Sequence, residues 1–215
     1  MIIRDSQELQ NLQTIVDQIS KMPRSAEVVV VSKRQQVEKI IPLLAAGHQV
    51  FAENRVSEAK AKWTQLKELY PNTKLHMIGP LQSNKIKEVV KIFDVIESVD
   101  NITYARIILA ELKKQNKAID CYVQVNTSRE PQKSGVSPEG ADQLIAACRD
   151  IMLPVKGVMC IPSASKDSSN DFQLLCQIAN KNNLDIVSMG MSEDYEKAIL
   201  NGATHVRIGR AIFSS

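Results

Sequence analysis

The sequence predicts a single closed (β/α)8 barrel with one extra helix in front of it, on three observations. Short apolar runs and one-sided amphipathic stripes alternate along all 215 residues. The first run, from Glu27 to Lys33, is a β-branched stretch of the kind a parallel strand buried on both faces requires. No G-x-G-x-x-G follows it: Lys33-Arg34-Gln35-Gln36 stands where a dinucleotide cradle would need glycines, which argues against a doubly wound nucleotide-binding sheet.

Taken in order, the chain opens with Leu9, Leu12, Val16 and Ile19 at helical spacing. Asp5 or Ser6 is placed to cap that helix and Pro23 to close it. The run at 27–33 is the first strand, with Lys33 at its C-terminal end. Helical stripes follow at Val37-Ile40-Ile41-Leu44, Val56-Ala59-Trp63-Leu66, Ile86-Val89-Val90-Phe93 and Tyr104-Ile108-Leu109-Leu112. Later ones are Ala141-Leu144-Ile145-Cys148, Phe172-Leu175-Cys176-Ala179 and Tyr195-Ala198-Ile199-Gly202. Apolar runs lie between them at 48–53, 74–79, 95–99, 119–126, 154–161, 185–190 and 204–209, which with the first makes eight strands. Eight βα units favour a closed TIM barrel spanning residues 1–215 as one domain. The longest irregular stretches, Asn126 to Pro138 and Pro162 to Asp167, both follow strands and therefore open on the C-terminal rim, where barrels bind ligands.

Composition narrows the function. The net charge of +3 comes from basic residues interleaved with acids along the whole length, and aromatics make up 4% of the chain. Neither a basic stripe nor a stacking platform for nucleic acid results. The N-terminus lacks a secretory h-region and no run is apolar enough to span a bilayer, so a cytoplasmic protein is expected. Cys121, Cys148, Cys160 and Cys176 are widely spaced and read as buried thiols. His48, His76 and His205 are dispersed, and no metal site is expected. With no apolar stripe left over, the chain is expected to be a monomer.

The residues expected at the strand ends carry the chemistry: Lys33, Asn54, Gly79, Ser98, Asn126, Ser188 and Gly209. A lysine there is either a solvated cation or an amine able to attack a carbonyl. Ser188-Met189-Gly190-Met191-Ser192 and Arg207-Ile208-Gly209-Arg210 follow strands seven and eight, where barrels often hold phosphate on backbone N–H groups, with a short helix starting at Ser192 or Ala211. A generic glycine turn is the plainer reading of either segment alone.

The chain from Val29 to Phe213 resembles the pyridoxal 5'-phosphate (PLP) homeostasis proteins, whose barrel is similar to the N-terminal domain of alanine racemase. The resemblance is carried by Val31-Ser32-Lys33, Phe51-Ala52-Glu53-Asn54, the run from His76 to Lys85, Val125-Asn126 through Lys133-Ser134-Gly135, Ser188 to Ser192, and Arg207-Ile208-Gly209. It implies that Lys33 forms a Schiff base with PLP and that Asn54 lies against the cofactor. Ser188, Gly190 and the Gly209-Arg210 turn would hold the phosphate, with Arg207 facing the pyridine nitrogen. His76 is as readily a satisfied interior histidine as a ligand contact, Asn84 is expected to cap the next helix, and Lys133 is read as a solvated loop cation. Three positions depart from the family: Arg210 replaces a small hydroxyl residue, Ser214 replaces glycine, and Phe51-Ala52 replaces an aromatic-glycine pair.

The resemblance implies a carrier or buffer that keeps PLP from other amines and hands it to apoenzymes without catalysis. Only a few residues follow the last strand, so no second domain is expected to close over a substrate. A PLP-dependent racemase or lyase using Lys33 as a base is the alternative, and a cofactor-free aldolase the third reading.

Overall fold

The computed structural model describes residues 6–163 and 167–214. Asp5, one of the two expected helix caps, and residues 164–166 of the expected rim loop lie outside the described residues. Ser6 caps the first helix, α1 (Gln7–Ser20), its hydroxyl accepting from the Leu9 N–H at 3.2 Å.

The barrel follows: β1 (Glu27–Val31), α2 (Val37–Ala45), β2 (Val50–Glu53), α3 (Val56–Leu69), β3 (Lys74–Met77), α4 (Ile86–Ile92), β4 (Val95–Val99) and α5 (Ile102–Gln115). Its second half is β5 (Asp120–Val125), α6 (Pro138–Asp150), β6 (Val155–Cys160), α7 (Ser169–Lys181), β7 (Ile186–Ser188), α8 (Tyr195–Leu200), β8 (His205–Ile208) and the short α9 (Arg210–Phe213). Every strand pair is parallel and β1 pairs with β8, so the sheet closes in sequence order.

Alternation sorts the side chains into two layers. Val28, Val30, Phe51, Leu75, Ile96, Val123, Val158, Val206 and Ile208 point outward and are buried in the main core against the helices. Inside the barrel, Val29, Val31, Val50 and Ala52 fill one side, and Val95, Tyr122 and Met159 the other. The seam is tightest at β7, only three residues long. Gly157 sits where a Cβ would lie 2.5 Å from the Ile186 carbonyl oxygen.

Three expectations about the rim need correction. β1 ends at Val31 because the chain turns at once: Gln35 N–H donates to the Ser32 carbonyl at 3.1 Å, and Arg34 takes a left-handed φ of 62°. Lys33 is therefore in the turn beyond the strand. Ser98 lies within β4 and is buried. Asn84 does not cap α4: it sits in a 3-10 turn (Ser83–Lys85), and no side chain caps the helix after it.

Candidate functional site

At the C-terminal mouth, Lys33 stands on the β1–α2 turn, exposed and with no hydrogen-bond or ion-pair partner among the described residues. Its neighbours are all fixed. Ser32 N–H donates to the Ala52 carbonyl at 3.0 Å, and the Ser32 hydroxyl donates to Glu53 Oε1 at 2.8 Å. Asn54, next in the chain, is partly buried. Gly79 presses on it so closely that a Cβ there would lie 2.0 Å from the Asn54 carbonyl oxygen.

On the other side of β1, Arg207 is buried inside the barrel at 4% exposure. Its Nη1 donates to the Ser188 hydroxyl at 2.7 Å and its Nη2 to the Cys160 carbonyl at 2.7 Å. Two of its five N–H donors are thus committed, which leaves others for a ligand. Ser188 in turn donates to Glu97 Oε2 at 2.6 Å, and His76 Nδ1 lies 2.6 Å from Glu97 Oε1. Burial by itself would push the Glu97 carboxyl up, but the bond and charge of His76, with Arg207 at 3.8 Å and Ser188, hold it below the usual carboxylate range. An ionised carboxylate only accepts, so His76 donates from Nδ1. His76 is a satisfied interior histidine.

The turns after β7 and β8 meet. Arg207 N–H donates to the Gly190 carbonyl at 3.0 Å, and Ala211 N–H to the Ser192 hydroxyl at 3.2 Å. Gly190 has φ 87°, a conformation that favours glycine, and a Cβ there would lie 2.5 Å from that of Ala198. Gly209 lies across from Val31, the last residue of β1: a Cβ there would be 3.1 Å from its carbonyl oxygen. The N–H groups of Ser192, Gly209 and Arg210 have no acceptor among the described residues. Such N–H groups on two neighbouring turns are the kind of donors an anion takes.

Two side chains of the expected set are engaged elsewhere. The Ser188 hydroxyl is fully buried between Glu97 and Arg207, so it orients Arg207 and is not free for phosphate. The Arg210 guanidinium pairs with Glu193 at 2.9 Å, with both side chains more than 70% exposed, and its backbone N–H faces no acceptor among the described residues. Lys133 is not solvated either. It ties its loop down through Glu130 Oε1 and the Pro162 carbonyl, each at 2.7 Å.

Of the residues expected to hold the cofactor, Lys33, Asn54, Gly190, Gly209 and Arg210 stand on the turns after β1, β2, β7 and β8, and Ser188 and Arg207 lie inside the barrel on β7 and β8. A cavity of about 430 Å³ also opens beside Asn54 between Arg55, Pro80, Gln82 and Lys85, but the other six do not line it. Sequence reasoning missed Glu97, the hub of the interior network, and Glu53. The signal for each was a carboxylate inside an otherwise apolar strand.

Comparisons with known proteins agree with this architecture. The family described as alanine racemase, N-terminal domain, matches residues 7–215. A protein of Vibrio alginolyticus named pyridoxal phosphate homeostasis protein is 34% identical, with 96% of each chain covered. The protein of that name from Escherichia coli is 32% identical, with 95% of each covered. Among solved structures, PipY of Synechococcus elongatus with PLP bound is 28% identical at a TM-score of 0.82, covering 96% of this chain and all of that one. Alanine racemase from Corynebacterium glutamicum shares the fold at 13% identity and a TM-score of 0.73, with 60% of its chain covered.

Proposed function

The chain belongs to the pyridoxal phosphate homeostasis protein family, built on the alanine racemase N-terminal-domain barrel, and from that premise we propose that it holds PLP as a Schiff base on Lys33. It serves to buffer the cofactor or deliver it to apo PLP-dependent enzymes, without catalysis, as a cytoplasmic monomer. No helix among the described residues is long and apolar enough to cross a membrane, which is consistent with that reading.

The observation that carries the proposal is the Lys33 amine, unpartnered among the described residues, on a turn whose flanking residues are all held, beside the turns after β8 and β7 whose N–H groups at Ser192, Gly209 and Arg210 have no acceptor among those residues. The donor set fits the cofactor. A phosphate takes backbone N–H donors at Ser192, Gly209 and Arg210, with Gly190 and Gly209 allowing close approach. Asn54 supplies an adjacent amide. Arg207, oriented by Ser188 and Glu97, offers its remaining donors to the pyridine nitrogen.

PLP supplies an aldehyde on an electron-withdrawing ring. The deprotonated Lys33 amine forms the C=N bond to that aldehyde with loss of one water, and the reverse reaction with water releases the cofactor unchanged. A guanidinium at the ring nitrogen opposes ring protonation and so weakens the ring as an electron sink. That supports holding over transforming.

The first experiment is an absorbance spectrum of the wild type and Lys33→Ala, each before and after PLP is added. A visible band in the wild type alone is expected, and no band in either sinks the proposal. Borohydride trapping and mass spectrometry should find a pyridoxyl-phosphate adduct on Lys33, where a sugar adduct would point to an aldolase. Catalytic α-hydrogen exchange on any amino acid would replace the carrier by a racemase or lyase.

A further inference from the structure

Glu53 is out of place by pattern. β2 turns Phe51 and Glu53 toward the helices, a layer that is otherwise apolar, yet Glu53 has 0% exposure. Its Oε1 accepts from the Ser32 hydroxyl at 2.8 Å and Trp63 Nε1 at 3.2 Å, and Lys62 Nζ lies 2.6 Å away. Lys62 itself is 10% exposed. It also donates to the Ser32 carbonyl at 2.7 Å and the Gln35 carbonyl at 3.4 Å, and pairs with Glu58 at 2.8 Å. Glu58 in turn accepts from the Arg34 N–H.

The residues on either side of Lys33 are therefore gripped at Ser32, Arg34 and Gln35, while Lys33 is left free. Arg34 keeps a φ of 62°, a conformation unfavourable for a side-chain-bearing residue that persists only when its surroundings hold it. Glu58 and Lys62 reach the turn together because i and i+4 share one face of α3, while Trp63, on its buried side, reaches Glu53.

We propose that Glu53, Lys62 and Glu58 form a clamp that positions the Lys33 amine at the barrel mouth, so that Schiff-base formation depends on a buried ion pair that touches no part of the cofactor. This rests on the carrier reading. In that role Glu53 and Lys62 are positioning residues. A buried pair gives up hydration of both charges, which geometry at an attached site can repay in function even where it adds little stability. A small displacement of a reacting group is enough to matter.

The test compares PLP with pyridoxamine 5'-phosphate, which carries the same ring and phosphate but has no aldehyde for Lys33. In Glu53→Gln and Lys62→Met, PLP binding is expected to weaken about tenfold while that of pyridoxamine 5'-phosphate stays within about twofold, as expected when only the reacting amine is misplaced. Lys62→Arg, which keeps the cation, should stay near the wild type. Equal weakening of both ligands, or no change in either, overturns the clamp. Should either core variant fail to fold, Ser32→Ala and Glu58→Ala remove contacts at the edge of the clamp and carry the same expectation.

A ligand-free readout separates the two readings. Amide hydrogen exchange at Arg34 and Gln35 should be slow in the wild type and about tenfold faster in Glu58→Ala. Unchanged exchange overturns the clamp even if PLP binds as proposed. A wild type that forms no band with PLP, yet shows that exchange difference, sinks the carrier reading and with it the clamp's role in Schiff-base formation, while its hold on the turn stands.

Discussion

Inside the barrel, the one carboxylate of Glu97 is shared by His76, Ser188 and Arg207. Removing one partner of a buried ionic group leaves the others unsatisfied. Glu97→Gln is therefore expected to lower stability by about 3–5 kcal/mol at pH 7, read by urea denaturation. The pH dependence has a definite sign. The folded carboxyl sits below its unfolded value, about 4.3, so the stabilisation is complete above that value and is lost as pH falls through the lower folded one. Glu97→Gln should flatten that acid-side slope, and an unchanged slope would mean that Glu97 is not the group responsible. Lys33 is the opposite case. Exposed and without partners, its replacement by Ala should change stability by no more than about 0.5 kcal/mol while abolishing the PLP band.

Among the elements, the two loops that frame Asn54 are packed backbone to backbone at Gly79. Gly79→Ala forces one of them to move, since the obstruction is the Asn54 main chain rather than a flexible side-chain end. A loss of about 1–3 kcal/mol is expected, together with weaker PLP binding. Ser137→Ala makes the contrast. The Ser137 hydroxyl caps α6 by accepting from Gly140 N–H at 3.2 Å, away from the candidate arc, so its loss should cost about 1 kcal/mol and leave PLP affinity unchanged. A thermal melt and a PLP titration on the two variants decide both. The alternation of elements was legible because each helix shows one apolar face and each strand is buried on both. Asn84 was misread as a cap because a 3-10 turn before α4 has no periodicity long enough to see.

For the molecule as a whole, closure at β7–β8–β1 brings the candidate residues into one arc. The β7–β8 ladder is short, and Thr204 reinforces it, its hydroxyl accepting from Val187 N–H at 2.9 Å. α1 closes the barrel's outer wall next to this seam, where Asn11 donates to the Ile212 carbonyl at 2.9 Å and Leu12, Ile15 and Ile19 are buried. Leu12→Ala is expected to cost about 2–5 kcal/mol through the cavity it leaves, measured by thermal or chemical unfolding. The large apolar side chains that remain exposed, Val16, Leu69, Met152, Ile161 and Leu200, lie on different parts of the chain. Light scattering should therefore return the mass of one chain, and a concentration-independent dimer would overturn the monomer reading.

The sequence by itself determined the layer each strand residue occupies and the rim each turn faces, since a period of two and the order of βα units need no knowledge of distant partners. That order is why Lys33, Asn54 and Gly209 were expected near strand ends, whereas their cofactor roles, and that of Gly190, came only from the family resemblance. Only the tertiary structure decided which polar groups meet across the barrel. Ser188 and Glu97 are 91 residues apart in the chain and 2.6 Å apart in space, and Arg207 enters the same network from the last strand. It also assigned the Arg210 side chain to solvent and the Ser188 hydroxyl to the interior. Strand spacing states inward or outward, but the partner of an inward side chain depends on how closure and register bring opposite walls together.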